Sequence, residues 1–429
     1  MAPGGRGAVT VTRGPVKHDY DIAVVGAGIV GASAALWTQM RGHRVLLIDP
    51  ASPGSGASYG NACTLATFGC LPVNDPSVLT KLPYLMFAKD TPLAISWRHA
   101  VRNPLWMLSF LANCRTARSC AIAGHLAELL SHADAGINPL IAEARAEDLM
   151  VARGQLSIWP TASGAQGAAA GMSLRRELGV GFEELTAEQA RALEPGLTVP
   201  IEKAVFFPQA RHVMDPEELV RRFHARFEAL GGQTLAEKVA STQAGQDGVV
   251  IRAGDKTVSA GRVVIAAGAF SKHISGAGVE ALPLGCERGY HVLYEGEGHR
   301  ITRPVGWAEG GFYAVPMAKG LRLAGTVEIA ALDAPENPDR IAYLERRARD
   351  LFGPLPKPSE TWLGFRPTLP DSLPVLGRSP SSDRIIHAFG HQHLGLTLGG
   401  ISGRIVADLV EGRQPNIPIM AYRADRRYV

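Results

Sequence analysis

The stretch Asp21–Asp49, DIAVVGAGIVGASAALWTQMRGHRVLLID, constrains the fold of this chain more than any other. The apolar run Ile22–Val25 reads as a buried strand and leads directly into Gly26-Ala27-Gly28-Ile29-Val30-Gly31. Apolar residues then recur at helical spacing up to Gly42, Val45–Ile48 forms a second strand, and Asp49 closes the unit. A bare GxGxxG says little. Strand, glycine turn, helix, strand and terminal acid in that order specify a βαβ unit of a parallel sheet.

Each part has a physical task. Gly26 permits the tight turn, Gly28 leaves room for a pyrophosphate beside the backbone, and Gly31 lets helix and strand pack closely. The first-turn N–H groups, at Ile29 and Val30, and the positive end of the helix dipole face the phosphates. Asp49 is placed to accept hydrogen bonds from an adenosine ribose, and its charge disfavours a 2′-phosphate there. The plain alternative is a βαβ unit with a glycine turn and no ligand. Only one such fingerprint is present, so reducing equivalents are expected to come directly from an organic substrate rather than through a second nucleotide domain.

At 429 residues the chain is long enough for two or three domains. Its 44 basic and 40 acidic residues leave a net charge of +4 with no dense Lys/Arg run, which gives nucleic-acid binding little support. The balance suits an anionic cofactor and a carboxylate substrate. Five cysteines without a CxxC pair suggest no disulfide framework and a reducing, cytoplasmic compartment. Residues 1–17 lack the apolar core of a secretory signal and read as a loose tail. No run approaches the ~20 apolar residues of a membrane span, so any membrane contact is peripheral, at the inner face. The basic, amphipathic segment Trp97–Ala117 fits a membrane surface or a packed helix with a solvated basic face, and the second is expected.

Residues 81–145 are rich in helix formers and form a helical insertion. Gly154–Trp159 and Ala204–Pro208 read as strands. Asp215-Pro216-Glu217-Glu218 is a helix start, with Asp215 as cap and Glu218 completing a capping box, and Gly231-Gly232 ends that helix. The segment Arg262–Ser271, RVVIAAGAFS, is a buried strand running into a small-residue turn at Ala267 and Gly268 that lets a ligand approach the backbone. Leu284–Glu295, Gly311–Pro316 and Leu321–Glu328 alternate as antiparallel strands do. Asn337–Phe352 is a charged helix expected to be exposed. Towards the C-terminus, Thr361–Gly377 reads TWLGFRPTLPDSLPVLG, and Gly390–Gly400, GHQHLGLTLGG, feeds a helix from about Ile401 to Val410.

These motifs, in this order, resemble the D-amino-acid-oxidase-like family of FAD-dependent amine oxidoreductases over about residues 19–412. Ser58-Tyr59-Gly60-Asn61-Ala62 and Glu287-Arg288-Gly289-Tyr290-His291 resemble the D-amino acid dehydrogenase branch, and GHQHLGLTLGG the part of it acting on D-hydroxyproline and related cyclic imino acids. The resemblance implies an α/β (α+β overall) architecture: a Rossmann-like FAD-binding domain of residues 18–80, 205–282 and 363–429, and a substrate-binding domain of residues 81–204 and 283–362 on a mostly antiparallel sheet. It implies FAD held non-covalently, since the GFRPT segment lacks a cysteine. Gly26, Gly28, Gly31 and Asp49 would hold the adenosine diphosphate, Ser58, Asn61 and Ala62 would pass near the flavin, and Gly395, Leu396 and Thr397 would line its pyrimidine edge. Cys63 stands where this branch commonly has glycine.

The expected chemistry is hydride transfer from the α-carbon of a D-amino or D-imino acid to flavin N5, giving an imine, with a quinone or electron-transfer protein as acceptor; oligomerisation is compatible with it. Arg366 is the candidate carboxylate clamp, because a guanidinium grips a carboxylate through two parallel bonds; its alternative is a structural pair with Asp371. Tyr290 is a candidate for a second carboxylate bond or a core ring. His391 and His393 are candidates for contact with substrate or flavin, or satisfied structural residues, and no third partner makes them a metal site. Tyr313 is read as core packing before pocket lining. Competing functions are a glycine or sarcosine oxidase using O2, a broad D-alanine-type dehydrogenase, a non-catalytic flavoprotein subunit and an NADPH-dependent hydroxylase.

Overall fold

The computed structural model describes residues 18–79 and 90–428. The expected tail, residues 1–17, and the start of the helical insertion, residues 80–89, lie outside the described residues.

Four parallel strands form the centre of the first sheet in the order Val45–Ile48, Tyr20–Val25, Lys256–Ile265, Ser382–Phe389. Their runs Ile22–Val25, Leu46–Ile48 and Val263–Ile265 are buried on both faces, as parallel strands covered on two sides must be. Period-two alternation splits them between two cores. Ile22, Val24, Leu47 and Val264 face a helical layer; Ala23, Val25, Leu46, Val263 and Ile265 face the other side. Gln233–Leu235 extends the sheet in parallel beyond Val45–Ile48, and Val249–Ala253 and Val239–Ala244 add antiparallel strands on the other side. The expected short strand Thr257–Ser259 is the first half of the long strand Lys256–Ile265.

The helical layer is Ile29–Met40, Pro216–Ala229 and Gly395–Val410 together with Thr116–Ser131 and Ala133–Glu143. These last two were expected with the substrate-binding part; their buried Ile122, Leu126, Leu130, Ile137 and Leu140 lie instead in the core of the parallel sheet. Close helix approach explains the small residues there. A Cβ on Gly400 would sit 2.5 Å from Ile137 Cα. The C-terminal helix begins at Gly395, earlier than its sequence suggests, because tertiary packing overrides the low helix propensity of Gly395, Gly399 and Gly400. Asp215 caps Pro216–Ala229 by accepting from Glu218 N–H at 3.1 Å, but no reciprocal bond forms: the Glu218 carboxylate pairs with Arg222.

The second sheet is mostly antiparallel, in the order Glu360–Thr368, Gly285–Glu295, Gly320–Ile329, Phe312–Pro316, Val305–Trp307, Gln155–Trp159, Lys203–Phe207, Glu183–Leu185. Junctions drawn at 204/205 and 362/363 therefore fall inside strands that stay whole in this sheet. The helix Pro338–Phe352 is not free-standing: Tyr343, Leu344, Leu351 and Phe352 bury against Val292, Tyr294 and Leu323, and only its charged face is solvated.

Candidate active site

A cavity of about 680 Å³ lies at the carboxyl ends of the parallel strands and is roofed by the second sheet. This is where ligands bind in open α/β sheets. Its floor is the glycine turn. Gly26 has φ +107°, and a Cβ there would lie 2.4 Å from Ala266 O, while one on Gly31 would lie 1.8 Å from Gly26 O. Both positions admit only glycine. Gly28 is less crowded, its Cβ position 3.3 Å from Ser58 Oγ. Ala27 N–H donates to Asp49 Oδ2 at 2.7 Å and Ala51 N–H to Asp49 Oδ1 at 2.9 Å, so the acid at the end of the second strand holds the turn beside it. Ile29 N–H donates to Ser58 Oγ at 2.9 Å, and Ile29 and Val30 line the cavity at the positive end of the helix.

The loop that follows is held by its own polar atoms. Asn61 Nδ2 donates to Ser58 O at 2.7 Å, and Asn61 Oδ1 accepts from Cys63 N–H at 2.7 Å. Ser58, Asn61 and Ala62 all reach the cavity. Cys63 has φ +56°, a left-handed backbone that glycine adopts at least cost, with a buried thiol facing Met317 and Val315. Ala267 and Gly268 line the opposite wall. Gly395 and Leu396 line the cavity, and a Cβ on Gly395 would meet only His391 Cβ at 3.8 Å. Thr397 does not line it: the hydroxyl is turned inward, where it accepts from Ala66 N–H at 2.9 Å.

Arg366 lies in the cavity wall on the strand Glu360–Thr368. Its NH1 donates to Thr326 O at 3.1 Å, and no carboxylate pairs with it among the described residues. The expected alternative partner, Asp371, is taken by Arg426. Glu287 stands opposite Arg366 in the strand register, fully buried, with Oε1 accepting from Gln392 Nε2 at 3.1 Å. Burial lifts its carboxyl to about 7, against the opposing pull of Arg366. Tyr290 is outside the site. Its ring belongs to the core under Pro338–Phe352 and its hydroxyl donates to Glu328 Oε2 at 2.6 Å, so the core reading holds.

His391 and His393 both line the cavity. His391 Nε2 is 2.8 Å from Ser402 Oγ, and burial pushes its pKa down to about 3. His393 faces the open cleft but is hemmed in by protein; that enclosure, with the charge of Arg366 next, pushes it down to about 4. Both imidazoles are neutral at pH 7. Tyr313 packs beside Cys63 and Met317, away from the cavity. Lining residues that the sequence does not single out include Trp362, lying over Gly60 and stacked on His291 at 5.3 Å; Phe270; and Gln392, held at φ +50°. The TWLGFRPT and AGAFS motifs contained the first two, but nothing local marks which side of a strand a ring occupies.

Glycine turn, acid-closed βαβ unit and roofed cleft define a dinucleotide-binding protein. A family model described as FAD dependent oxidoreductase matches residues 21–409, and the chain belongs to that family. It is 33% identical over 414 residues to a D-amino-acid oxidase of Bradyrhizobium diazoefficiens, covering 94% of this chain and 98% of the relative. Its fold is similar to glycine oxidase from Geobacillus kaustophilus (TM-score 0.75, 24% identity, 96% of this chain and 100% of that one). It is also similar to L-proline dehydrogenase from P. horikoshii (TM-score 0.70, 17% identity, 95% and 98%). The cofactor is FAD, and the protein is a flavoenzyme acting on amino acid CH–NH2 or CH–NH groups. The cradle fits: crowding forbids side chains at Gly26 and Gly31, and backbone rather than side chain faces the cavity at Gly28 and Gly395.

Proposed function

We propose that this chain is an FAD-dependent dehydrogenase that oxidises a D-amino or cyclic D-imino acid, with cis-4-hydroxy-D-proline or D-proline favoured, to the corresponding imine. The observation that carries this reading is Arg366, a guanidinium in the wall of the cleft beside the His391–Leu396 loop that touches the backbone carbonyls of Thr326 and Gly325 but forms no ion pair with a carboxylate among the described residues. It would hold the substrate carboxylate through two N–H donors and so fix which face of the α-carbon is presented. FAD, when bound, supplies the acceptor for the hydride leaving that carbon. Neutral His393 offers a ring nitrogen to a substrate N–H, and enclosure of the cleft favours the neutral amine. The D-amino-acid oxidase relative supports the D-amino acid class, and the GHQHLGLTLGG loop supports the cyclic substrates. No cysteine lines the cavity among the described residues, which supports non-covalent FAD.

The name of the same relative favours a second reading, an oxidase in which O2 takes the electrons. In the dehydrogenase reading a quinone or an electron-transfer protein does so. Anaerobic bleaching of flavin absorbance by cis-4-hydroxy-D-proline, D-proline, D-alanine, glycine, sarcosine and L-proline, followed by admission of air, tests both. Fast bleaching by the cyclic D-substrates with slow recovery in air is expected. Fast recovery in air moves the protein to the oxidases, and bleaching by glycine or sarcosine alone overturns the substrate class.

A further inference from the structure

The helices Trp97–Arg102 and Pro104–Asn113 were expected to bury their apolar face. The first buries none of its residues, and the second buries one face and exposes another. On the inner side Trp106 Nε1 donates to Pro283 O at 2.9 Å, and Phe110 is fully buried beside Val78 and Cys114. On the outer side Trp97, Val101, Leu105 and Leu108 are 55%, 71%, 81% and 63% exposed. These are four of the eight large apolar side chains exposed among the described residues: Trp97 and Val101 lie one turn apart on the first helix, Leu105 and Leu108 on the second. Pro104–Asn113 is thus apolar on both sides, and a helix of that kind is buried on both or meets something other than water.

The charge around this ridge identifies what it meets. The chain as a whole is nearly balanced, yet no acidic residue occurs from Thr91 to Ala127. That stretch carries Arg98, Arg102, Arg115 and Arg118, all exposed, and the Arg98 guanidinium lies 5.5 Å over the Trp97 ring. No helix among the described residues is long and apolar enough to cross a membrane. We propose that this surface docks on a lipid bilayer bearing anionic headgroups. Val101, Leu105 and Leu108 enter the acyl boundary, Trp97 sits at headgroup level, and the arginines meet the phosphates.

The test uses the full-length FAD-loaded protein and vesicles of phosphatidylglycerol with phosphatidylcholine, or of phosphatidylcholine alone. Co-sedimentation with the anionic vesicles only is expected, with a blue-shifted tryptophan emission that Trp97→Phe abolishes. The double variant V101D/L105D should lower the partition coefficient by about tenfold or more, and R98E/R102E by several-fold, with flavin absorbance unchanged in both. Three results would overturn the proposal: no sedimentation with anionic vesicles, sedimentation indifferent to V101D/L105D, or a dimer in solution that L105D dissociates. The last would assign the ridge to a second copy of the chain.

Discussion

Arg426 grips Asp371 through two hydrogen bonds, Nε to Oδ2 at 2.7 Å and NH2 to Oδ1 at 3.0 Å, and so takes from Arg366 the carboxylate nearest to it in sequence. The division assigns the two arginines different work. Arg366→Lys keeps the charge and loses the two-pronged geometry, so KM for carboxylate substrates should rise and kcat/KM fall by about a hundredfold, roughly 3 kcal/mol. Asp371→Asn should instead lower stability by about 3 kcal/mol, leaving a buried cation without its partner, while KM stays near wild type. Steady-state kinetics beside chemical denaturation separate the two. A fall in stability for Arg366→Lys with unchanged KM would make that residue structural.

Glu287 gives the fold a pH dependence of definite sign. Burial raises its folded pKa to about 7, above the ordinary carboxylate value. Below about pH 4.5 the acid is protonated in both states and contributes nothing. Between there and pH 7 the folded state holds a proton that the unfolded chain releases, so stability falls as pH rises, by on the order of 1–3 kcal/mol, and levels off above. Glu287→Gln should flatten that slope in urea titrations from pH 4.5 to 8. An unchanged slope would show that another group is responsible.

The two histidines predict a negative result in the pH profile. With His391 near 3 and His393 near 4, neither changes charge at neutral pH. His393→Gln should therefore change KM severalfold while leaving the shape of the kcat/KM profile between pH 6 and 9 intact. Loss of an inflection in that range on substitution would assign His393 a titrating role.

Cys63 occupies a left-handed backbone with a buried side chain, so two opposed effects meet there. Cys63→Gly relieves about 1 kcal/mol of backbone strain and forfeits a similar amount of packing, leaving stability within about 1 kcal/mol of wild type. Cys63→Val adds a branched Cβ to the same φ and should cost about 2 kcal/mol or more. Thermal melts of the FAD-loaded variants order the three.

Sequence logic reached the parts of this molecule whose causes are local. The βαβ unit is written in its own glycines and period, and the cap at Asp215 in the residue types of one turn. What stayed hidden depends on distant chain. Tyr290 is drawn from the site by Glu328, which strand pairing delivers. Thr397 is turned inward by Ala66 N–H, a loop from the other end of the sequence. The helix at Gly395 begins where propensity argues against one, and its next turn needs Gly399 and Gly400 because Ile29 and Ile137 of neighbouring helices pack directly on them. Trp97 and Leu105 have a helical period that shows apolar residues but not which side faces the core.

Tyr20–Val25 pairs with Lys256–Ile265, and the face of Ile29–Met40 is covered by Gly395–Val410. During synthesis the parts of the nucleotide-binding unit are thus made far apart in time. Its strand waits for more than half the chain, and its helix for nearly all of it, with apolar surface uncovered throughout. Such long-range closure is slow and invites aggregation. Synthesis of this enzyme should accordingly depend on chaperones that hold the nascent chain. Truncation even a few turns from the C-terminus should yield insoluble protein rather than a smaller domain.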